Sequence, residues 1–424
     1  MRPNKPNLNV AFTGHVDHGK SSLIGRLLLA TGEITEREYE KYTQEAAHQN
    51  RSDAALAFIS DDRKEERERG LSINPSYNRL DREKYNFTLI DCPGHNNYTG
   101  NMIKGVSQSD ATVLVISAKE GIQTLTKEHA LISHVLGGDN ILVAVSKMDM
   151  IDYEEEKFNV IRDELNDVLL SIYNTEDDIS CIPISSIKDR NVTPDSESID
   201  WYNGNTLLEA LNQLDEPDER TSEPLRLPVD EKHTMSGIGT TIAGTIRTGA
   251  IRSNETIIFQ PSDTECEVRS IEMFHQSLGR AVARDNVGMN LTATNAANVE
   301  PGDVCGRGDN PPSTAKEVIT RVTAVQQPPT IKPGVRLMFH AHSMQSPCEV
   351  TGVSLLDESG PDDSTMNILD PGNTGRVRLR FPEAKAVETE NEFPSLSKFL
   401  LRDNNETLAY GNVTKLSTSQ SDTR

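Results

Sequence analysis

The chain has 424 residues, with 43 Lys+Arg against 65 Asp+Glu and a net charge of -22. At roughly 100–200 residues per domain this length implies two to four domains, and the charge excludes a globally basic, histone-like nucleic-acid binder. The cations divide into 26 Arg and 17 Lys; a Lys-poor, acid-coated surface fits either a protein solvated in concentrated salt or a merely acidic cytosolic one.

No stretch approaches the ~18–20 consecutive apolar residues of a membrane helix, and Met1–Pro6 lacks the apolar core of a secretory signal. Five cysteines lie far apart without a Cys-x-x-Cys pair, so neither a cysteine zinc site nor a disulfide framework is expected. The expectation is a soluble, cytoplasmic, reduced protein.

In chain order, Asn9–Phe12 reads as a short strand, followed by a glycine loop and an apolar-periodic helix over Ser21–Thr31. Phe87–Ile90, Ala111–Ile116 and Asn140–Val145 read as strands buried on both faces. Phe158, Ile161, Leu165, Val168 and Ile172 recur at helical spacing between Tyr153 and Tyr173. Alternating strands and helices predict a parallel-sheet α/β domain closing with a helix over Thr206–Leu214. Asp215–Pro228 reads as a linker. The short β-type runs Thr240–Ile246, Glu255–Phe259, Glu267–Glu272 and Met289–Ala293 then predict an antiparallel barrel. A second break at Gly306–Ser313 precedes another β-rich stretch. The expected domains are residues 1–216, 225–311 and 315–416, with a flexible tail over 417–424.

The first strand runs into Gly14-His15-Val16-Asp17-His18-Gly19-Lys20-Ser21, the pattern Gly-x-x-x-x-Gly-Lys-Ser/Thr in a strand–loop–helix setting. Backbone N–H groups of such a loop nest phosphates and the helix N-terminus adds its dipole. Lys20 is expected to reach the β- and γ-phosphates, and the Ser21 hydroxyl to ligate Mg²⁺. Asp91-Cys92-Pro93-Gly94 ends the second buried strand, where a carboxylate can hold Mg²⁺ through water and Gly94 lets backbone approach a γ-phosphate. Ser146-Lys147-Met148-Asp149 ends a third. A carboxylate there accepts two N–H bonds from guanine, and adenine offers no matching donor pair.

With these elements the sequence resembles the translational GTPases of the archaeal and eukaryotic elongation factor 1-alpha type, counterpart of bacterial elongation factor Tu. Asp91–His95, Asn101-Met102-Ile103, Glu65–Gly70, Trp201–Gly204, Ile238-Gly239-Thr240, Asp285–Gly288 and Phe399–Asp403 carry the resemblance over essentially the whole chain. It implies an α/β P-loop GTPase domain, with a mostly parallel sheet and flanking helices, followed by two antiparallel β-barrels. The implied activity is GTP hydrolysis coupled to delivery of aminoacyl-transfer RNA to the ribosomal A site. Its implied partners are the ribosome, aminoacyl-tRNA and a guanine-nucleotide exchange factor, with no membrane and a monomeric chain. A carrier of a release or ribosome-rescue factor stays open as an alternative, and the GTPase subunit of a sulfate adenylyltransferase is a minor one.

By motif position, the resemblance assigns GTP or GDP to Gly14–Ser21, Ser22, Asp91–His95, Ser146–Asp149, Ser185 and Ser186. Mg²⁺ falls to Ser21, Ser72 and, through water, Asp91, with Asp61 in its outer shell. His95 takes the place of the histidine that positions the attacking water, flanked by the apolar gate Val16 and Leu71. Asn101 and Glu272 fall where tRNA contacts lie. There are departures: Ser72 replaces a threonine, Ser146 an asparagine that braces the nucleotide loop, and Gly100 and Thr292 two cations that meet tRNA. They fit salt adaptation or drift, or a divergent paralogue of haloarchaeal type with a changed cargo.

Overall fold

The computed structural model describes residues 5–60, 64–69, 71–138, 140–173, 179–216, 218–235, 239–292, 296–325, 330–355, 368–404 and 406–417. Two compact units divide the chain, Met1–Pro217 and Asp218–Arg424.

The first unit is built on a six-stranded sheet. Its strands are β1 (Asn7–Thr13), β2 (Ser76–Asp81), β3 (Asn86–Asp91), β4 (Ala111–Ser117), β5 (Asn140–Ser146) and β6 (Cys181–Pro183), in the order β2-β3-β1-β4-β5-β6. All pairings are parallel except β2 with β3. Strand alternation explains why β4 is buried along its whole length. Val113 and Val115 join one core with Val10, Phe12 and Leu23, while Leu114 and Ile116 join another with Val143, Phe158 and Leu165. Helices supply the opposing sides: α1 (Lys20–Ala30) to the first core and α7 (Glu155–Tyr173) to the second. The remaining helices are α2 (Glu36–His48), α3 (Ala57–Ser60), α4 (Lys64–Arg69), α5 (Thr99–Val106), α6 (Thr124–Leu136) and α8 (Leu207–Gln213).

The order puts β1, β3 and β5 side by side with β4, and their C-terminal ends carry the three loop motifs. That is where ligands sit in open α/β sheets. The helix read over Ser21–Thr31 begins at Lys20 and ends at Ala30. Among the elements not read from the pattern are α2 and β2. Only Ala46 of α2 is buried, so no apolar stripe announces it; a Thr35–Glu38 capping box starts it instead. β2 is a half-buried edge strand.

In the second unit, Gly239–Thr245, Asn286–Thr292, Thr264–Met273 and Thr256–Gln260 pair antiparallel around Ile242, Ile257, Phe259, Val268 and Met289. A two-stranded ribbon of Ala250–Arg252 with Arg280–Val282 accompanies this sheet. Among the described residues its ladder stays open, whereas the next six strands close: Thr314–Ala324, Thr374–Ala386, Met344–Leu355, Arg336–Ala341, Lys398–Asp403 and Glu406–Ser417. Phe339 stacks on Phe399 at 4.6 Å and meets Phe381 edge-on at 5.1 Å inside that barrel. Arg226, from the start of the open sheet, is fully buried against Glu388 of the closed barrel at 2.5 Å and lies 4.2 Å over the Phe393 ring. Removing one partner of so buried a pair strands the other charge, which makes the pair a brace between the two β layers. Among the described residues no helix is long and apolar enough to cross a membrane.

Candidate functional site

The phosphate loop leaves β1 in a conformation that glycine alone tolerates. Gly14 has φ +141°, and a Cβ there would stand 2.2 Å from the Val115 carbonyl oxygen. The loop returns into α1 at Lys20, whose side chain is buried and whose Nζ donates to the carbonyls of Gly14 and His15, both at 2.9 Å. The ammonium is thus held over the loop, where a phosphate would meet it. Gly94 closes the opposite wall: a Cβ on it would be 2.4 Å from Lys20 Nζ and 2.6 Å from the Gly14 oxygen.

One cleft is lined by Val16, Asp17, Gly19, Lys20, Ser21, Ser22, Leu71, Ser72, Gly94 and Lys147. It therefore joins the loop, the Asp91–Gly94 turn, the Ser72 segment and the Ser146–Asp149 loop, and sets Val16 and Leu71 on its wall. His95 follows Gly94 outside that lining, half-buried, with Nδ1 accepting from the Asn97 N–H at 3.1 Å and Tyr98 5.7 Å away between rings. Asp61 lies outside the described residues.

Asp91 sits at the cleft floor, 1% exposed. Oδ2 accepts from the Ser60 hydroxyl at 3.1 Å, while Oδ1 is buried without a hydrogen bond. Burial pushes this carboxyl up, against the pull of Lys20 and the hydroxyls of Ser21 and Ser60. A bare carboxylate oxygen beside a serine hydroxyl is a donor set for a hard oxygen-loving cation, so Mg²⁺ fits these residues.

The base side is pinned by hydroxyls. Ser185 Oγ donates to Asp149 Oδ1 at 2.5 Å and accepts from the Lys188 N–H at 3.2 Å. Arg26 of α1 donates to the carbonyls of Ser186, at 2.6 Å, and Ile187, at 3.3 Å. Lys147 takes φ 58°, turning the chain sharply after β5. The Ser146 hydroxyl reaches the His18 carbonyl at 2.5 Å and the Ile116 carbonyl at 3.2 Å. Met148 and Cys92 have wholly buried side chains, so their backbones alone can face a nucleotide.

Several residues make contacts that their sequence motifs do not announce. Glu66 is buried, and its Oε1 accepts from the N–H groups of Ile73, at 2.9 Å, and Asn74, at 3.0 Å, fixing the chain just after Ser72. Asn101 Nδ2 donates to the Ile73 carbonyl at 2.7 Å, so its side chain anchors the same segment. Arg51 lines the cleft and donates to the Arg67 carbonyl at 2.8 Å. In the second unit, Glu272 is exposed on its strand opposite Gly288, and Thr292 is exposed opposite Glu267.

Known proteins agree with this architecture. The family described as Elongation factor Tu GTP binding domain matches residues 5–217, Elongation factor Tu domain 2 matches 239–306, and the GTP-eEF1A C-terminal domain-like family matches 317–414. Elongation factor 1-alpha of Natronomonas pharaonis is 40% identical over 97% of this chain and 99% of its own. That of Methanospirillum hungatei is 38% identical over 97% of both. Among solved structures, the Saccharomyces cerevisiae Ski7 GTPase-like domain superposes with TM-score 0.82 at 17% identity, covering 97% of each chain, a likeness of fold alone. A P-loop cleft in the first unit, β domains that follow it in the chain and this identity along the whole chain place the protein in the elongation factor 1-alpha family, the GTP-hydrolysing translation elongation factors.

Proposed function

We propose that the chain carries aminoacyl-tRNA to the ribosomal A site in its GTP state and releases it on hydrolysis. The observation that supports this most is the single cleft joining Lys20, Ser21, Leu71, Ser72 and Gly94, in a chain so similar to elongation factor 1-alpha from end to end. Lys20 and the loop N–H groups hold the β- and γ-phosphates, and Asp149, steadied by Ser185, takes the guanine edge. Ser21, Ser72 and, through water, Asp91 would hold Mg²⁺, which when bound neutralises charge on the phosphate oxygens.

His95 positions a water for attack on the γ-phosphorus. The new P–O bond forms as the bond to the β-phosphate oxygen breaks, giving GDP and phosphate. Val16 and Leu71, on the cleft wall, stand between His95 and that water until the ribosome docks. Glu66 and Asn101 tie the segment after Ser72 to the body, so γ-phosphate contacts at Ser72 pass directly into the backbone that moves. The working domains are residues 1–216, 225–311 and 315–416. The setting is the cytoplasm, the chain acts as a monomer, and an exchange factor reloads it.

Retention of labelled aminoacyl-tRNA tests this reading, with the protein loaded either with a non-hydrolysable GTP analogue or with GDP. Binding at least about tenfold tighter in the GTP state is expected, a coupling of the usual size. Equal binding in both states, or none, would overturn it, and a release-type protein captured in the GTP state would replace it with the protein-cargo reading.

A further inference from the structure

The flank of the phosphate loop carries a cluster of side chains beyond the backbone N–H groups and the lysine expected to hold phosphate. His15 and His18 belong to the loop, and Glu120 sits on the tight turn after β4, closed by hydrogen bonds from the Glu120 and Gly121 N–H groups to the Ser117 carbonyl. One ligand atom from each of the three lies within 4.8 Å of the others.

Hydrogen bonding at Nδ1 selects the tautomer of each neutral ring. His18 Nδ1 lies 3.3 Å from the Val115 carbonyl and His15 Nδ1 3.0 Å from the Val16 carbonyl. A carbonyl only accepts, so each Nδ1 is the N–H, and in the neutral ring Nε2 keeps its lone pair. This is the second-shell arrangement that orients histidine toward a metal. His18 is wholly buried, and its Nε2 makes no hydrogen bond although Glu120 Oε2 stands 3.5 Å away. With the ring neutral, two acceptors face each other at that distance and repel unless a proton or a metal cation joins them.

We propose that His15, His18 and Glu120 form a site for a divalent transition metal of the zinc class, which braces the phosphate loop to the β4 turn. Two imidazoles and a carboxylate suit zinc, with a water as fourth ligand. Ligands of a tetrahedral zinc stand about 3.3 Å apart, given bonds of about 2.0–2.1 Å. The His18–Glu120 pair is nearly there, and half-buried His15 and exposed Glu120 are free to close the remainder. The open Glu120 side gives the ion its entry. Clamping His18 fixes the residue before Gly19 and Lys20, so the bound metal slows release of nucleotide.

The test titrates Zn²⁺ into chelator-treated full-length protein by calorimetry, once without nucleotide and once with GDP and excess Mg²⁺, and repeats the titration with Co²⁺ by absorption. One equivalent should bind in both states, and the Co²⁺ spectrum should lack a thiolate charge-transfer band. Glu120→Gln should weaken Zn²⁺ at least about tenfold and leave zinc-free GDP affinity unchanged, and Glu120→His should restore the metal. Zinc should slow GDP release from the wild type but not from Glu120→Gln. The absence of saturable binding in the wild type, equal zinc affinity in Glu120→Gln or a thiolate band in the Co²⁺ spectrum would overturn the site. Unaltered GDP release with zinc bound would overturn its bracing role. The titration without nucleotide separates failure of this site from failure of the nucleotide reading.

Discussion

The Ser146 hydroxyl donates to the backbone carbonyl of His18, tying the end of β5 to the phosphate loop. The serine therefore braces the loop itself, the role that the resemblance assigns to an asparagine, and shares its proton with the Ile116 carbonyl. Ser146→Ala leaves the His18 carbonyl without this donor, a loss of about 1–3 kcal/mol where the group is buried. GDP affinity should fall roughly tenfold while guanine-over-adenine preference persists, since Asp149 is untouched. Titration calorimetry with GDP and ADP measures both, and wild-type affinity in the variant would mean the loop is held by other contacts.

Gly94→Ala should abolish nucleotide binding at a moderate cost in stability. The added methyl would meet Lys20 Nζ at 2.4 Å and the Gly14 carbonyl oxygen at 2.6 Å, inside any van der Waals contact. Lysine could swing away, but the loop backbone cannot, so the cleft itself must deform. A melting curve that shows a folded variant, together with loss of GDP binding by fluorescence, is the expected pair of results. Full GDP affinity would show that the turn has room to move.

How much of this could be read from the chain is clear from particular residues. The phosphate loop was legible because its glycines and lysine are demanded locally by backbone conformation and charge, as were the carboxylates at the ends of β3 and β5. Ser60 was not, nor were the contacts of Glu66 and of Asn101, which the resemblance puts among tRNA contacts, because each acts on a segment that only the tertiary fold brings to it: Asp91, the Ile73–Asn74 backbone and Ile73. The helix α2 escaped because a surface helix with one buried alanine has no apolar period. That the ladder of the middle β domain stays open among the described residues is a matter of pairing between distant strands, on which hydrophobic alternation is silent.

Acid should destabilise the closed barrel through two buried histidines. Burial drops His340 to about 3, with Arg402 pushing the same way. Burial also drops His342 to about 4, with the Ala386 backbone opposing and Arg247 adding to the fall. Unfolded histidine titrates near about 6.5. Below that value the unfolded chain takes up protons that the folded barrel refuses, so stability present above pH ~6.5 is lost as pH falls toward about 4. The melting temperature should decline across that window, and His342→Asn should flatten the slope while lowering the neutral-pH value. A slope identical to wild type would place the acid sensitivity elsewhere.

Cargo binding should be weakly salt-dependent. The resemblance puts Gly100 and exposed Thr292 at positions of cations that would meet tRNA, and each phosphate contact adds about 0.9 to the slope of log affinity against log salt for a duplex. The Gly100→Lys, Thr292→Arg double change should steepen the aminoacyl-tRNA slope by up to about two. Thr292 lies opposite Glu267, which would take part of the new arginine's charge, so the Gly100 change should supply the larger share. An unchanged slope with unchanged affinity would make both positions irrelevant to RNA.

The most direct test of the account is dipeptide formation on programmed ribosomes freed of their own elongation factor, with this protein, aminoacyl-tRNA and GTP added. The account predicts GTP-dependent dipeptide with the wild type. It also predicts that His95→Ala, still binding GDP normally, lowers ribosome-stimulated hydrolysis by roughly a hundredfold or more. Ribosome-stimulated hydrolysis without any dipeptide, or wild-type hydrolysis in His95→Ala, would contradict it.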